Sequence, residues 1–320
     1  MKINFKELPI TKAEITSVVK TLKSGYLSIG PKVFELEEKF AKFVGSKYAI
    51  ATNSCTMAVM LALKRNVKGG EVIGVPSMNC PVIPGMILNE GYRLFFYDDP
   101  YWVGNTYDIW GSYVVDSAEH LVRNQYKEHK EKTVCFSFYP TKEIGGAEGG
   151  MIVTDNKEDA EWFDKARNWG RSLHTTSNKS WEQEVEFPGW KGNMSDLQAA
   201  ILIPQLERLD ETNDKRKKVV NWYKERFEDN LLDNNSLYLY RIEINKRDEF
   251  IKYMQKNGVT CGIHFRPNHL MKAFTKNLTP NHLIETERLA KTIVSLPLHF
   301  KMTKKEVDYI YKLVQKWQLN

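Results

Sequence analysis

Two residues of this 320-residue chain stand where a buried reaction could use them. One is an acid, Asp116, closing the apolar run SYVVD (112–116); the other is a lysine, Lys142, within FSFYPTKEIGGAEGG (136–150). A phosphate loop of the GxxxxGK type puts glycines ahead of its lysine, so that their amides cradle phosphates before the amine arrives. Here the lysine comes first and Glu143 follows it, which discounts that chemistry. Taken singly, a loop lysine is by default solvated, and an acid after a strand is by default a helix N-cap. Taken together they suit a Schiff base between the lysine amine and a carbonyl, with the acid paired to a cationic ring nitrogen. That pair is what a protein contributes to pyridoxal phosphate (PLP) chemistry.

A phosphorylated cofactor also needs an anion site. The stretch NSCTM (53–57) lies at a strand-to-helix junction, where unpaired amides and the helix dipole favour an anion. Ser54 or Thr56 reads equally as a plain N-cap. Ser137, five residues before Lys142, offers a further hydroxyl.

Elements able to position these groups follow from the pattern. PKVFELEEKFAKFVG (31–45) is a periodic helix closed by Gly45, and YAIATN (48–53) runs as a strand into a helical stretch. Further apolar runs occur at 72–76, 93–99, 112–116, 133–139 and 150–154. Strands separated by helices predict an α/β fold, a three-layer αβα domain whose mostly parallel sheet is covered on both faces. Ligands of such sheets gather at the carboxyl ends of the strands. From about residue 157 helices dominate, and LYLYRIEI (237–244) starts a separate small αβ unit. The division predicted is 1–210 for a large cofactor-binding domain and 211–320 for a small C-terminal one. The polar stretch 172–193 is expected to be an ordered loop with a function.

Composition narrows the partners. The balance of 46 Lys+Arg against 40 Asp+Glu gives a formal +6, spread along the chain except for Lys215, Arg216, Lys217 and Lys218. That cluster reads as a solvated helix face rather than a nucleic-acid footprint. Four cysteines without a CxxC pair or histidine partners argue against a metal site. The N-terminal stretch lacks a signal-peptide core, and no apolar run approaches the ~20 residues that span a bilayer. A soluble, cytoplasmic protein is expected.

Seven stretches in register carry a family resemblance: GYLSIGP (25–31), YAIATNSCTMAVMLAL (48–63), VVDSAEH (114–120), FSFYPTKEIGGAEGGMIVT (136–154), NMSDLQAAI (193–201), GIHFRPNH (262–269) and LPLH (296–299). The chain resembles the sugar aminotransferases of the DegT/DnrJ/EryC1/StrS family, PLP enzymes of fold type I. The resemblance implies that Lys142 carries the cofactor covalently, that Asp116 binds the pyridine nitrogen, and that Glu119 lies near the phenolic oxygen. It implies phosphate contacts from Cys55, Thr56 and Ser137. Lys191 would reach the phosphate of the neighbouring subunit in a homodimer with shared active sites. The implied reaction moves an amino group from L-glutamate to a nucleotide-linked keto sugar, with pyridoxamine phosphate as the intermediate cofactor form. Lys142 then serves as anchor and as general base, which requires a neutral amine near the operating pH. At the sugar end the resemblance places His264, Arg266 and His269, and a guanidinium fork suits a diphosphate.

Three features depart from the family pattern. PSMNC leaves Asn79 and Cys80 where the family commonly stacks an aromatic on the cofactor ring. Only PYWVGNTYDIWG (100–111) separates RLFFYDD from SYVVD, where the family usually inserts a further βα unit. The aromatics there, Tyr101, Trp102, Tyr107 and Trp110, read mainly as core packing. Glu143 reads as a solvent-facing loop acid. Two rival readings are a sugar dehydratase, whose branch replaces the lysine by histidine, and a catalytically idle relative that binds a nucleotide sugar; Lys142 and Asp116 weigh against both.

Overall fold

The computed structural model describes residues 1–173, 184–228, 232, 236–276 and 283–319. Part of the polar stretch expected to form a functional loop, 174–183, lies outside the described residues.

Helix α1 (Lys12–Ser24) opens with a capping box in which Thr11 and Glu14 satisfy each other's end of the first turn. Helix α2 (Pro31–Val44) has Pro31 in its first turn and Gly45 in the left-handed conformation at its end, φ 83°. Strand β1 (Tyr48–Thr52) then leads into α3 (Cys55–Asn66), and β2 (Val72–Pro76) into α4 (Val82–Asn89) and β3 (Arg93–Tyr97). A short strand, β4 (Tyr107–Ile109), precedes β5 (Val114–Ser117), β6 (Thr133–Ser137), β7 (Gly150–Thr154) and α5 (Lys157–Ala166).

Five strands form one sheet in the order β1-β7-β6-β5-β4, and β2 pairs with β3. The two parts meet through an antiparallel bridge between Gly74 and Trp110, closed by amide-to-carbonyl bonds of 3.0 Å in each direction. Strands β5 and β6 are parallel, as are β2 and β3, whereas β7 opposes both β1 and β6 and β4 opposes β5. It follows that β1, β2, β3, β5 and β6 all run one way, and only β4 and β7 run back. The expected α/β fold is therefore present, but its sheet is mixed rather than mostly parallel in its pairing, because two reversed strands, which apolar runs could not reveal, oppose their neighbours.

Period-two alternation sends successive residues to opposite faces. Ile50, Cys135 and Ile152 join α3, α4 and α5 in one core, while Ala51, Val134, Phe136, Met151 and Val153 join α2 and α6 (Asp196–Glu207) in another. Phe40 of α2 meets Phe136 and Phe138 edge-on at 5.1 and 5.5 Å. Each such fully buried side chain stabilises the fold by about 1.5–3 kcal/mol. A third core combines Val219, Val220 and Tyr223 of α7 (Leu209–Lys224) with β8 (Tyr240–Glu243), α8 (Arg247–Lys256), β9 (Ile293–Leu296) and α10 (Lys304–Gln318). Ile3 belongs to this third core, so the N-terminal residues pack with the C-terminal unit. Helix α9 (Ile284–Thr292) is capped from the large sheet's side: Asp98 accepts from the amides of Glu285 and Thr286 at 2.9 and 2.8 Å.

Candidate active site

All the strand ends that matter face one edge of the sheet: the carboxyl ends of β1, β2, β5 and β6 and the start of β7. Lys142 lies five residues beyond β6, in a loop pinned at several points. Its own amide donates to Tyr139 O at 2.9 Å. Arg216 of α7 donates to Glu143 O at 2.9 Å, and Gln205 of α6 brackets Gly145, accepting from its amide at 3.0 Å and donating to its carbonyl at 2.9 Å. A side chain at Gly145 would meet Leu8 Cδ2 at 2.7 Å and Pro140 Cα at 2.9 Å, so only glycine fits this turn. Two expectations are corrected here. Arg216 is buried rather than on a solvated face, and Glu143 is a buried acid whose Oε1 has no hydrogen-bond partner among the described residues. Both were misread because a turn of helix or loop rich in charge looks solvated when its tertiary neighbours are unknown.

Lys142 Nζ is 3.7 Å from Glu119 Oε1 and 4.3 Å from the centroid of the Tyr238 ring. Burial pulls the lysine down, but Tyr238, Glu119 and Glu143 outweigh it and hold the ammonium above its ordinary value. Burial pushes Tyr238 itself up. Burial raises Glu119 as well, opposed by Lys142 and by the Gly104 amide, which donates to Oε2 at 2.8 Å. Asp116, at the end of β5, accepts from Ala118 N at 2.8 Å and from Tyr107 Oη at 2.9 Å; burial raises it and these donors pull it back.

The anion candidates converge on the same edge. Ser54 caps α3 by accepting from Met57 N at 3.1 Å, confirming its capping role. That leaves Cys55 and Thr56 in the first turn, ahead of the first helical bond, from Ala58 N to Ser54 O. Gly150 packs against this junction so closely that a Cβ would lie 2.5–2.6 Å from Ser54 C and O and Cys55 N. Across the β6–β7 ladder Gly150 faces Ser137. A helix N-terminus, a nearby hydroxyl, a buried carboxylate and a lysine therefore share one crevice, and the residues present fit a phosphorylated, cationic-ring aldehyde.

The remaining candidates are placed differently. Lys191 is exposed; its ammonium sits 5.0 Å over the Trp169 ring and lines a surface cavity of about 250 Å³ with Ser28, Ile29 and Asn193. His269 bonds through Nδ1 to Ser77 Oγ at 2.6 Å, just past β2, with Nε2 3.4 Å from Glu287. His264 stacks on Phe5 at 5.4 Å and shares a 2.9 Å bond with Ser295; burial holds it neutral, down to about 3. Arg266 is exposed. Cys80 is exposed beside the crevice, while Trp102 and Tyr107 are buried. Sequence reasoning missed Lys6, Tyr238 and Gly104, and read Tyr107 among aromatics used mainly for packing. Lys6 places its ammonium 4.0 Å from the Tyr238 ring centroid and is pulled down to about 7 by burial, with Arg216 and Lys142 adding to the effect and Glu143 opposing it. None of the four stands in a stretch with its own motif; only contacts over long sequence separations bring them here.

The fold and this gathering of lysine and acids are those of a pyridoxal phosphate enzyme. The chain belongs to the DegT/DnrJ/EryC1/StrS aminotransferase family, whose model matches residues 9–101 and 103–315. Among its relatives is the spore coat polysaccharide biosynthesis protein SpsC of Bacillus subtilis, 30% identical over 371 positions covering 96% of this chain and 94% of SpsC. Those positions outnumber the 320 residues here, in keeping with a shortened chain. Similar folds include PseC of Helicobacter pylori, an aminotransferase involved in pseudoaminic acid biosynthesis, with TM-score 0.83, 21% identity and full coverage of both chains. Spr1654 of Streptococcus pneumoniae, in its PLP form, has TM-score 0.84 and 22% identity over 100% of this chain and 99% of its own. The cofactor is pyridoxal phosphate.

Proposed function

We propose that this protein transfers the amino group of L-glutamate to a nucleotide-linked keto sugar. The amino sugar formed would serve polysaccharide or glycoconjugate synthesis, and the enzyme would work in the cytoplasm as a homodimer. The observation that carries the reading is Lys142 Nζ 3.7 Å from the buried Glu119 carboxylate, at the same edge as buried Asp116. The polysaccharide role in the name of SpsC and the sugar pathway of PseC support a sugar substrate. The exposed Arg266 suits a diphosphate, and His269, anchored on Ser77, suits the sugar.

Bound pyridoxal phosphate supplies an aldehyde and an electron-withdrawing ring. Lys142 would hold it covalently, and its amine, once freed, would carry the proton taken from the α-carbon of the amino donor. Asp116 would hold a proton on the ring nitrogen, and Glu119, close to the lysine, would lie near the phenolic oxygen. The amides of Cys55 and Thr56 and the hydroxyl of Ser137 would donate to the phosphate. Lys191 is exposed beside the Trp169 ring, which suits a reach into a partner's site. The division near residue 210 stands as part of this reading, with the N-terminal residues joined to the smaller unit.

Visible absorption of the purified protein incubated with PLP, before and after borohydride, tests the proposal against Lys142→Ala. A reducible chromophore in the wild type and none in the variant is expected; no chromophore with PLP, and no binding of pyridoxamine phosphate, would sink it. A panel of dTDP-, UDP- and GDP-linked keto sugars with glutamate then identifies the acceptor.

A further inference from the structure

The segment between β3 and β5 is where this chain is shortened, and it ends directly beneath Asp116. Tyr107, on β4, donates its phenolic proton to Asp116 Oδ2 at 2.9 Å, and its own phenolic oxygen accepts from Asn79 Nδ2 at 2.7 Å. The sense of this chain is fixed by Asn79, whose Oδ1 accepts the Cys80 amide at 2.7 Å, so that its NH₂ must face the phenol. The phenol, already accepting from Asn79, can donate only to the acid. Trp102 packs on the Tyr107 ring at 4.4 Å and is itself tied to Met78 O at 3.0 Å. Asn79, Tyr107 and Asp116 are all at least 95% buried, with 1%, 5% and 2% exposure.

We propose that Tyr107 is a positioning residue, fixing the Asp116 carboxylate and keeping it ionised opposite the cofactor's ring nitrogen. The inference rests on the reading that Asp116 binds that nitrogen. A hydrogen bond to the charged form of a carboxylate favours that form, and inside a protein it does so strongly. The groups facing Asp116 leave this role open. Lys142 is a cation that helps, and Glu119 is an acid that hinders; Cys55, Cys80, Cys135 and Tyr97 stay neutral because burial pushes each of them up. Tyr107 and the Ala118 amide are the donors that touch the carboxylate. The short segment thus supports the acid from a three-residue strand. Gly104, in the same segment, supports Glu119 through its amide.

The test is PLP binding to cofactor-free protein, read by quenching of tryptophan fluorescence from about pH 4.5 to pH 9. Wild type, Tyr107→Phe, Asn79→Asp and Asp116→Asn are compared, so that titration of PLP itself is common to all. The acid limb of the affinity is expected to move up by roughly one pH unit in Tyr107→Phe, the size of one charge-assisted hydrogen bond. Asn79→Asp, which keeps the ring but offers the phenol a competing carboxylate, is expected to move it the same way and carries the test if Tyr107→Phe fails to fold. An acid limb removed by Asp116→Asn but unmoved in the folded variants overturns the inference alone. A wild-type limb in Asp116→Asn overturns the reading of Asp116 and the inference with it.

Discussion

Covalent capture of an aldehyde needs a neutral amine, yet the acids around Lys142 hold it as a cation. Glu119→Gln removes the charge nearest Nζ and lowers that hold; each unit of fall gives about tenfold more neutral amine at a fixed pH below the pKa. Stopped-flow capture of PLP near neutral pH is expected to be about tenfold faster in this variant, and an unchanged rate would show that Glu119 does not set the lysine's charge. Lys6 behaves in the opposite sense. Its folded value is about 7 against ~10.4 when unfolded, so between those values the unfolded chain binds the extra proton and stability rises with pH. Lys6→Met should therefore stabilise the protein most below about pH 7, with the gain fading toward pH 10; urea denaturation at several pH values checks it. At this scale Lys142 and Asp116 could be picked out because the pair, a lysine after one strand and an acid closing another, suggests a chemistry that neither residue suggests alone. Lys6 and Tyr238, whose contact spans the whole chain, suggested none.

Elements turn those residues into a site by close approach. Gly150 opens β7 with no room for a Cβ against Ser54 and Cys55, so Gly150→Ala must displace backbone and is expected to cost at least about 1–3 kcal/mol. Because the displaced backbone is the α3 N-terminus, PLP affinity should fall more than that of pyridoxal, which lacks the phosphate; equal losses would place the phosphate elsewhere. Gln205 acts on the neighbouring loop. Gln205→Leu leaves the buried amide and carbonyl of Gly145 without their partner, costing about 1–3 kcal/mol each, and faster hydrogen exchange at Gly145 and Gly146 is the expected signature. The strands and helices were readable from periodicity, and the glycines after Lys142 from composition. Strand direction was not: an apolar run such as GMIVT looks the same whichever way it runs, and β7 is reversed by its pairing alone.

On the scale of the whole molecule, α1 exposes Ile15, Val19 and Leu22, spaced so that they form one stripe. With Lys191 turned outward, this apolar stripe suits a second copy of the chain. Val19→Glu is expected to shift a dimer toward monomer in sedimentation and to weaken PLP binding with it; Lys191→Ala should weaken binding and leave the dimer intact. A different consequence follows from how α2 begins. Gly30 offers no side chain to cap it, and its first amides are instead bound by Asp196, which accepts from Lys32 at 3.1 Å and Val33 at 2.9 Å. A Cβ on Gly30 would lie 2.9 Å from that carboxylate. The cap thus arrives 163 to 164 residues after the helix it closes, and β1 waits equally for β7. During synthesis α2 emerges with its first turn open and β1 unpaired, so commitment to the native topology comes late, when the stretch NMSDLQ leaves the ribosome.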